Sequence, residues 1–323
     1  MIDGNNARVL LTGSTGFIGE ELAPALLKSG YEVHTMERYV TGRYSLAQSR
    51  DMIKHYANFT DYPAVRLAVK EIRPDYVVHL GAISAVSFSY DHYVEVNEVN
   101  YIGTVNLAEA CRREVPSFKQ FIFAGTSEEY GMALKDDKDQ LRENSELMPN
   151  SPYAVAKVAS DYYLRYMYMA YQFPYTILRP FNTYGRKDNA HFFIERTITQ
   201  MIDGGEVSLG DPNAMRDWLY VDDHVTGYMK ALGNEKAIGE TIQLCTGKCY
   251  TTEKTAELIA KATGFKGDIH WHSSQPRPLD AKVLVGDNSK ARELLSWTPQ
   301  YSLEDGLKET VKYWKSKRVK HSK

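Results

Sequence analysis

From Arg8 to Leu178 the chain alternates short, strongly apolar runs with longer stretches of helical period, and this alternation restricts its topology severely. Arg8–Thr12, Tyr31–Met36, Tyr76–Leu80, Phe121–Ala124 and Tyr175–Leu178 have strand length and composition. Between them, apolar residues recur at helical spacing through Leu22, Leu26 and Leu27 to Gly30, and the spacing predicts long helices over Asn97–Arg113 and Ser151–Tyr171. Strands that are apolar throughout are buried on both faces, which demands helices on both sides of a parallel sheet.

The class is therefore α/β, a doubly wound parallel sheet of Rossmann type, expected over residues 1–180. After Pro180 the pattern loosens: Gly204-Gly205, Gly210–Pro212 and Ser273–Pro278 are turn-rich, and elements shorten. Residues 181–323 are expected to form mainly a smaller C-terminal lobe that binds substrate, with some segments returning to the sheet. Asp287–Leu295 and Leu303–Trp314 are expected to close the chain as amphipathic helices, and Lys315–Lys323 to be a frayed basic terminus.

Bulk properties exclude several classes. A net charge of −2 gives no electrostatic basis for nucleic-acid or anionic-membrane binding. No stretch approaches the roughly 20 apolar residues of a membrane span, and no signal peptide is evident. Cys111, Cys245 and Cys249 are too few and scattered for a disulfide framework, and no cysteine or histidine pair has zinc-like spacing. Free thiols in a reducing cytoplasm, and no metal, are the expectation.

Between the first strand and first helix stands Gly13-x-x-Gly16-x-x-Gly19. Glycine there lets the backbone turn sharply and approach a pyrophosphate, whose charge the helix N-terminal amides meet. Phe17 and Ile18 belong to the same cofactor turn. Glu37, roughly 20 residues on, ends the second strand where a carboxylate accepts a ribose 2′-OH, which favours NAD over NADP. Arg38 beside it could instead hold a 2′-phosphate. Asn58 and Asp61 are candidates for the adenine side, or caps of a turn or helix.

Tyr153 and Lys157 lie one helical turn apart, so both side chains share a helix face. Thr126, Ser127 and Glu128 follow an apolar run, at the place where a parallel strand ends. Beside a nicotinamide, such a set can move a hydride and draw a proton from carbon. Free tyrosine has a pKa of about 10, and a neighbouring lysine favours its phenolate.

These motifs, with His79–Ala82, Thr126–Gly131, Ser151–Lys157, Arg179–Gly185 and Arg216–Trp218, resemble the extended short-chain dehydrogenase/reductase family in its nucleotide-sugar branch, nearly end to end. The resemblance implies that Tyr153 exchanges the sugar hydroxyl proton, Lys157 holds the nicotinamide ribose, and Thr126 hydrogen-bonds the reacting hydroxyl. It places Leu80 and Ala82 at the cofactor and Ser84 at the sugar. It assigns Asn182, Arg216 and Arg277 to the nucleotide diphosphate and Asp280 to the nucleoside ribose.

Within that branch, Thr-Ser-Glu accompanies 4,6-dehydration: C4 is oxidised, a carboxylate takes the C5 proton, the C6 hydroxyl leaves as water, and hydride returns to C6. Glu128 fits the base, since in an extended segment it shares a side with Thr126 while Glu129 points away. Ser127 stands where some dehydratases carry aspartic acid. The resemblance therefore implies an NAD-dependent nucleotide-sugar 4,6-dehydratase, a lyase, expected as a homodimer through the helices starting near Asn97 and Ser151.

The alternatives are a nucleotide-uronate decarboxylase (a group that also uses a Thr-Ser-Glu motif), a 4-epimerase, or a non-catalytic protein that binds NAD and nucleotide sugar. The decarboxylase group presents an arginine in the loop where this chain has His191, although Arg186 or Lys187 could compensate. His191 itself is expected to be structural or solvated.

Overall fold

The computed structural model describes residues 6–38, 51–136, 138–187, 189–272 and 278–321. Strand β1 (Arg8–Thr12) turns tightly into α1 (Phe17–Lys28). Then follow β2 (Glu32–Glu37), β3 (Ile53–Tyr56), α2 (Tyr62–Ile72), β4 (Tyr76–His79), α3 (Val86–Asp91), α4 (Tyr93–Asn97), α5 (Gly103–Glu114), β5 (Gln120–Ala124), α6 (Pro152–Tyr171) and β6 (Tyr175–Pro180). The later elements are β7 (Asn182–Tyr184), α7 (Phe193–Asp203), β8 (Val207–Ser208), β9 (Met215–Tyr220), α8 (Val221–Ala231), β10 (Glu240–Leu244), β11 (Cys249–Thr251), α9 (Thr252–Thr263), β12 (Ile269–His270), β13 (Val283–Leu284), α10 (Ser289–Leu295) and α11 (Leu303–His321).

Seven strands form one parallel sheet in the order β10-β6-β5-β4-β1-β2-β3. The order reverses between β1 and β4, so connections leave to opposite sides there and a crevice opens at the carboxyl ends of the strands. This is the Rossmann arrangement. Strand period 2 sorts the core: Val9 and Leu11 pack with Leu22, Leu26 and Tyr228 on one face, and Leu10 with Val69, Leu107 and Leu164 on the other. Each such fully buried side chain contributes roughly 1.5–3 kcal/mol. A second sheet centres on β9, which pairs with β7 and β13 in parallel and with β11 antiparallel.

Two expectations change. The helix predicted over Asn97–Arg113 is interrupted by a wide π turn at Glu98–Ile102. There Asn100 clamps the loop after β4: its amide donates to Ile83 O at 3.0 Å, and its side-chain oxygen accepts the Ile83 amide at 2.8 Å. The Asn100 carbonyl accepts the hydroxyls of Thr104 (2.6 Å) and Ser160 of α6 (3.1 Å), so one residue ties loop and helices together. The basic terminus also stays helical to His321, where Arg318 pairs with Asp203 of α7. Among the described residues, no helix is long and apolar enough to cross a membrane.

Candidate active site

The β1–α1 turn is built by its glycines. Gly13 sits at φ +69°, a left-handed conformation that strains other residues, and its carbonyl accepts the Gly16 amide at 2.9 Å. A Cβ on Gly19 would stand 2.2 Å from the Gly13 oxygen, so helix and turn can approach only as glycines. Gly16 caps α1 with no side-chain hydrogen bond, leaving helix N-terminal amides for a ligand.

Gly13, Gly16, Phe17, Ile18 and Gly19 line a cavity of about 850 Å³, together with Leu80, Ala82, Ser84, Tyr153 and Lys157. A smaller adjoining cavity is lined by Glu37, Arg38, Phe59 and Gly81. Glu37 is buried at the end of β2, where the Thr35 hydroxyl donates to it at 3.1 Å, and Arg38 lies 3.9 Å from Glu95. Asn58 lines neither cavity. Its side-chain oxygen accepts the Thr60 amide and leaves the wall to Phe59, while Asp61 caps α2 through the Ala64 amide.

The Thr126 segment is not extended as the spacing argument supposed. Ser127–Glu129 is a single 3₁₀ turn closed by a capping box: Thr126 Oγ1 accepts the Glu128 amide at 3.2 Å, and Glu129 Oε1 accepts the Thr126 amide at 3.0 Å. Glu129 is completely buried, 2.8 Å from Arg179 Nε, while Arg179 also donates to Asp161 (2.7 Å) and to the Tyr130 hydroxyl (2.7 Å). Burial raises the Glu129 carboxyl to about 7 against the pull of Arg179. Glu128 is also buried, but its Oε2 meets no hydrogen-bond partner, and its charge acts on Tyr153. One glutamate of the pair is thus a strut and the other is uncommitted.

Lys157 is buried on α6, the helix that also carries Tyr153. Its ammonium donates to the Ala124 carbonyl at 2.7 Å and stands 5.9 Å from the Tyr153 ring centre. Burial lowers its pKa to about 8, which the Glu129 charge opposes. Tyr153 is held protonated: burial and then Glu128 push its pKa up, and a polar contact with Thr126 pulls the other way.

The residues proposed for the substrate separate. Arg216 and Asp280 pair with each other at 3.0 Å, with Arg216 buried and Asp280 exposed. The side-chain oxygen of Asn182 is buried and makes no hydrogen bond. Arg277 lies outside the described residues. His191, read as structural or solvated, lines the main cavity, where its amide donates to Asn189.

Arg186, His224 and Tyr228 are among the lining residues not singled out as site residues. The Arg186 guanidinium stacks on Phe192 (3.6 Å) and Phe17 (4.4 Å), bridging the loop after β7 to the cofactor turn. Glu195 lies 3.7 Å away, and burial lowers the Arg186 pKa. Lys187 instead pairs with Glu21 of α1. The sequence signal for Arg186 was its place directly after Gly185. For His224 and Tyr228 there was only an i, i+4 spacing, which helices use for packing just as often.

The model of the GDP-mannose 4,6 dehydratase family matches residues 10–310. The chain belongs to this family. It is thereby an enzyme of the nucleotide-sugar dehydratase and epimerase group, within the extended short-chain dehydrogenase/reductases. The GDP-mannose 4,6-dehydratase of Yersinia enterocolitica is 29% identical, covering 94% of this chain and 92% of its own length. A UDP-glucose 4-epimerase from Thermotoga maritima, solved with UDP-glucose, superposes with a TM-score of 0.88 at 30% identity, covering 96% of this chain and 99% of its own. A Thermus thermophilus UDP-glucose 4-epimerase, solved with NAD, gives 0.85 at 28% identity, covering 95% and 99%. Family members named for elimination and for epimerisation thus resemble this chain equally.

Proposed function

We propose that this family member is an NAD-dependent nucleotide-sugar 4,6-dehydratase. The observation that carries this reading is the division of labour between Glu128 and Glu129. One oxygen of each glutamate lacks a hydrogen bond, but that of Glu129 stands 2.8 Å from Arg179 Nε and its other oxygen accepts the Thr126 amide, whereas Glu128 has no such ion pair and its charge acts on Tyr153. Epimerisation at C4 needs no second base, while removal of the C5 proton does.

The glycine turn, the free amides of α1 and the orphan polar atoms along the cavity fit a dinucleotide, with Glu37 at its adenosine ribose. The nicotinamide supplies the hydride acceptor and donor when bound, and its positive charge favours the Tyr153 phenolate. Tyr153 takes the proton of the C4 hydroxyl, which Thr126 orients. The resulting ketone acidifies C5–H, Glu128 removes that proton, and the C6 hydroxyl departs as water. Glu128, now the acid beside it, protonates the leaving hydroxyl; the hydride taken from C4 would return to C6, C5 takes a proton from solvent, and Tyr153 releases the one it accepted, which balances to the 4-keto-6-deoxy sugar and water. Lys157 holds the ribose edge. Ser84 faces the sugar, and Asn182, Arg216 and Arg277 the diphosphate, so that substrate binding requires the Arg216–Asp280 pair to open or to share Arg216.

Turnover in deuterium oxide with GDP-mannose, dTDP-glucose, CDP-glucose and UDP-glucose tests this. A dehydratase gives a 4-keto-6-deoxy product carrying solvent deuterium at C5 and no net NADH. C4 epimers with protium at C5 would replace this reading with that of an epimerase.

Arg186 favours a second reading, a nucleotide-uronate decarboxylase, because it brings a buried cation to the cavity wall. Its stacking against two rings and its carboxylate neighbour Glu195 leave it less free to hold a uronate. Carbon dioxide release from UDP-glucuronate decides between them. We further propose a homodimer, since α4 and α6 expose Tyr93, Val94, Tyr162, Tyr166 and Met169. Sedimentation at several concentrations tests it, and a monomer throughout would exclude it.

A further inference from the structure

Two buried polar groups in the main cavity have no role in the reaction just described. His224 lies in the first turn of α8 and Tyr228 one turn later, their ring centres 5.1 Å apart, and they are 4% and 1% exposed. Both line the cavity, and neither His224 Nε2 nor the Tyr228 hydroxyl has a hydrogen-bond partner. A buried polar group without a partner is costly, and a pair at one place in a cavity wall marks a site completed by a ligand.

The hydrogen bonds behind them define which chemistry they offer. Thr183 has one hydroxyl proton and donates it to the Phe181 carbonyl at 3.0 Å. Its 2.9 Å contact with His224 Nδ1 is therefore a donation from the imidazole. His224 carries its proton on Nδ1, and Nε2 is left a bare acceptor. Burial and the nearby Arg186 charge lower the imidazole pKa to about 3, so Nε2 stays unprotonated. Burial, with Tyr153 adding to it, raises the Tyr228 pKa, so that hydroxyl remains a donor. The wall thus presents one acceptor and one donor side by side.

We infer that His224 and Tyr228 form a subsite for the carboxamide of the nicotinamide, Nε2 accepting from its NH2 and the Tyr228 hydroxyl donating to its carbonyl. A primary amide is the group on that ring with this pairing of donor and acceptor. The location agrees. Their cavity runs from the Gly13–Gly19 turn past Ala124, Gly125 and Pro180, at the carboxyl ends of β5 and β6. Tyr228 packs in the core on the α1 side of the sheet, whereas Tyr153 comes from α6 on the other side. A nicotinamide held between them would turn its carboxamide to His224 and Tyr228 and leave Tyr153 on the side of the reacting sugar. This assignment rests on the dinucleotide reading above.

Calorimetric titration of the nucleotide-free protein with NAD, with ADP-ribose, which lacks the ring, and with the acid analogue, nicotinic acid adenine dinucleotide, tests it. The wild type is expected to bind NAD about tenfold more tightly than the acid analogue, because a carboxylate sets lone pairs against Nε2. Tyr228→Phe and His224→Leu should each weaken NAD about tenfold and leave ADP-ribose unchanged, and His224→Leu should narrow the discrimination against the acid. ADP-ribose serves as the check on folding, and Tyr228→Phe removes a single oxygen. Equal losses for NAD and ADP-ribose, or an unchanged NAD affinity in both variants, would overturn the subsite. A wild type that binds neither NAD nor ADP-ribose would overturn it together with the dinucleotide reading.

Discussion

Glu129 spans two structural tasks with its two carboxylate oxygens: Oε1 accepts the Thr126 amide at 3.0 Å, and Oε2 stands 2.8 Å from Arg179 Nε. Asp161 shares the same guanidinium from α6, at 2.7 Å. The Thr126–Glu129 turn is therefore tied by one buried arginine both to β6, which carries Arg179, and to the helix of Tyr153 and Lys157.

Removing members of this cluster should cost stability in a defined order. Arg179→Met leaves Glu129 buried without a cation and Asp161 with Arg165 alone, and is expected to lose about 3–5 kcal/mol. Glu129→Val leaves the Thr126 amide unsatisfied, at about 1–3 kcal/mol, and Glu129→Gln should cost the least because an amide oxygen can still accept there. Urea denaturation of the three variants checks the ranking, and a milder effect of Arg179→Met than of Glu129→Gln would contradict it.

The same cluster predicts a pH dependence. Burial raises the Glu129 pKa to about 7 in the folded chain, above its unfolded value near 4.3. The folded state then binds the extra proton between those values. Stability from this group is present below the unfolded pKa and is lost as pH rises through about 7. Wild type should thus lose ground relative to Glu129→Gln by up to about 1.4 kcal/mol per pH unit between pH 5 and 7. Paired urea titrations at pH 5, 6 and 7 read this slope; a flat difference would mean that Glu129 titrates normally.

Glu128→Gln keeps the shape of the turn and removes the base. Activity should fall by about 10²–10⁴-fold, deuterium should no longer enter C5, and NAD affinity should stay within about twofold. Product analysis by NMR and a binding titration check both halves. Retained C5 exchange would move the base elsewhere.

Gly19→Ala should disable the cofactor turn. The added Cβ meets backbone, 2.2 Å from the Gly13 oxygen and 2.6 Å from Ser14 Cα, so the turn must open. The expected results are at least about tenfold weaker NAD binding and a loss of about 1–3 kcal/mol from overpacking. Calorimetry and thermal melting measure these, and unchanged NAD affinity would separate the glycine from the pyrophosphate.

The sheet was legible because its central strands carry unbroken apolar runs, a pattern that burial on two faces explains, and Val9, Leu10 and Leu11 are all fully buried. The cofactor turn was legible for the same local reason: strand, glycines and helix are contiguous. The π turn was not, since it depends on Asn100 reaching Ile83, 17 residues away in sequence. Nor was the fate of Arg216, whose guanidinium is claimed by Asp280 from a distant loop.

By itself the sequence determined the fold class and the kinds of group gathered at the strand ends, because short-range spacing dictates strand, turn and helix. The sequence already pointed to Glu128 over Glu129, and the tertiary structure supplied the partners, Arg179 and the Thr126 amide, that hold Glu129. It likewise turned Lys157 toward Ala124 and left His224 Nε2 and the Tyr228 hydroxyl without a hydrogen-bond partner in the cavity wall. Those outcomes depend on Arg179, Thr183 and the faces of α6 and α8, and partners so far apart along the chain meet only when the whole molecule is packed.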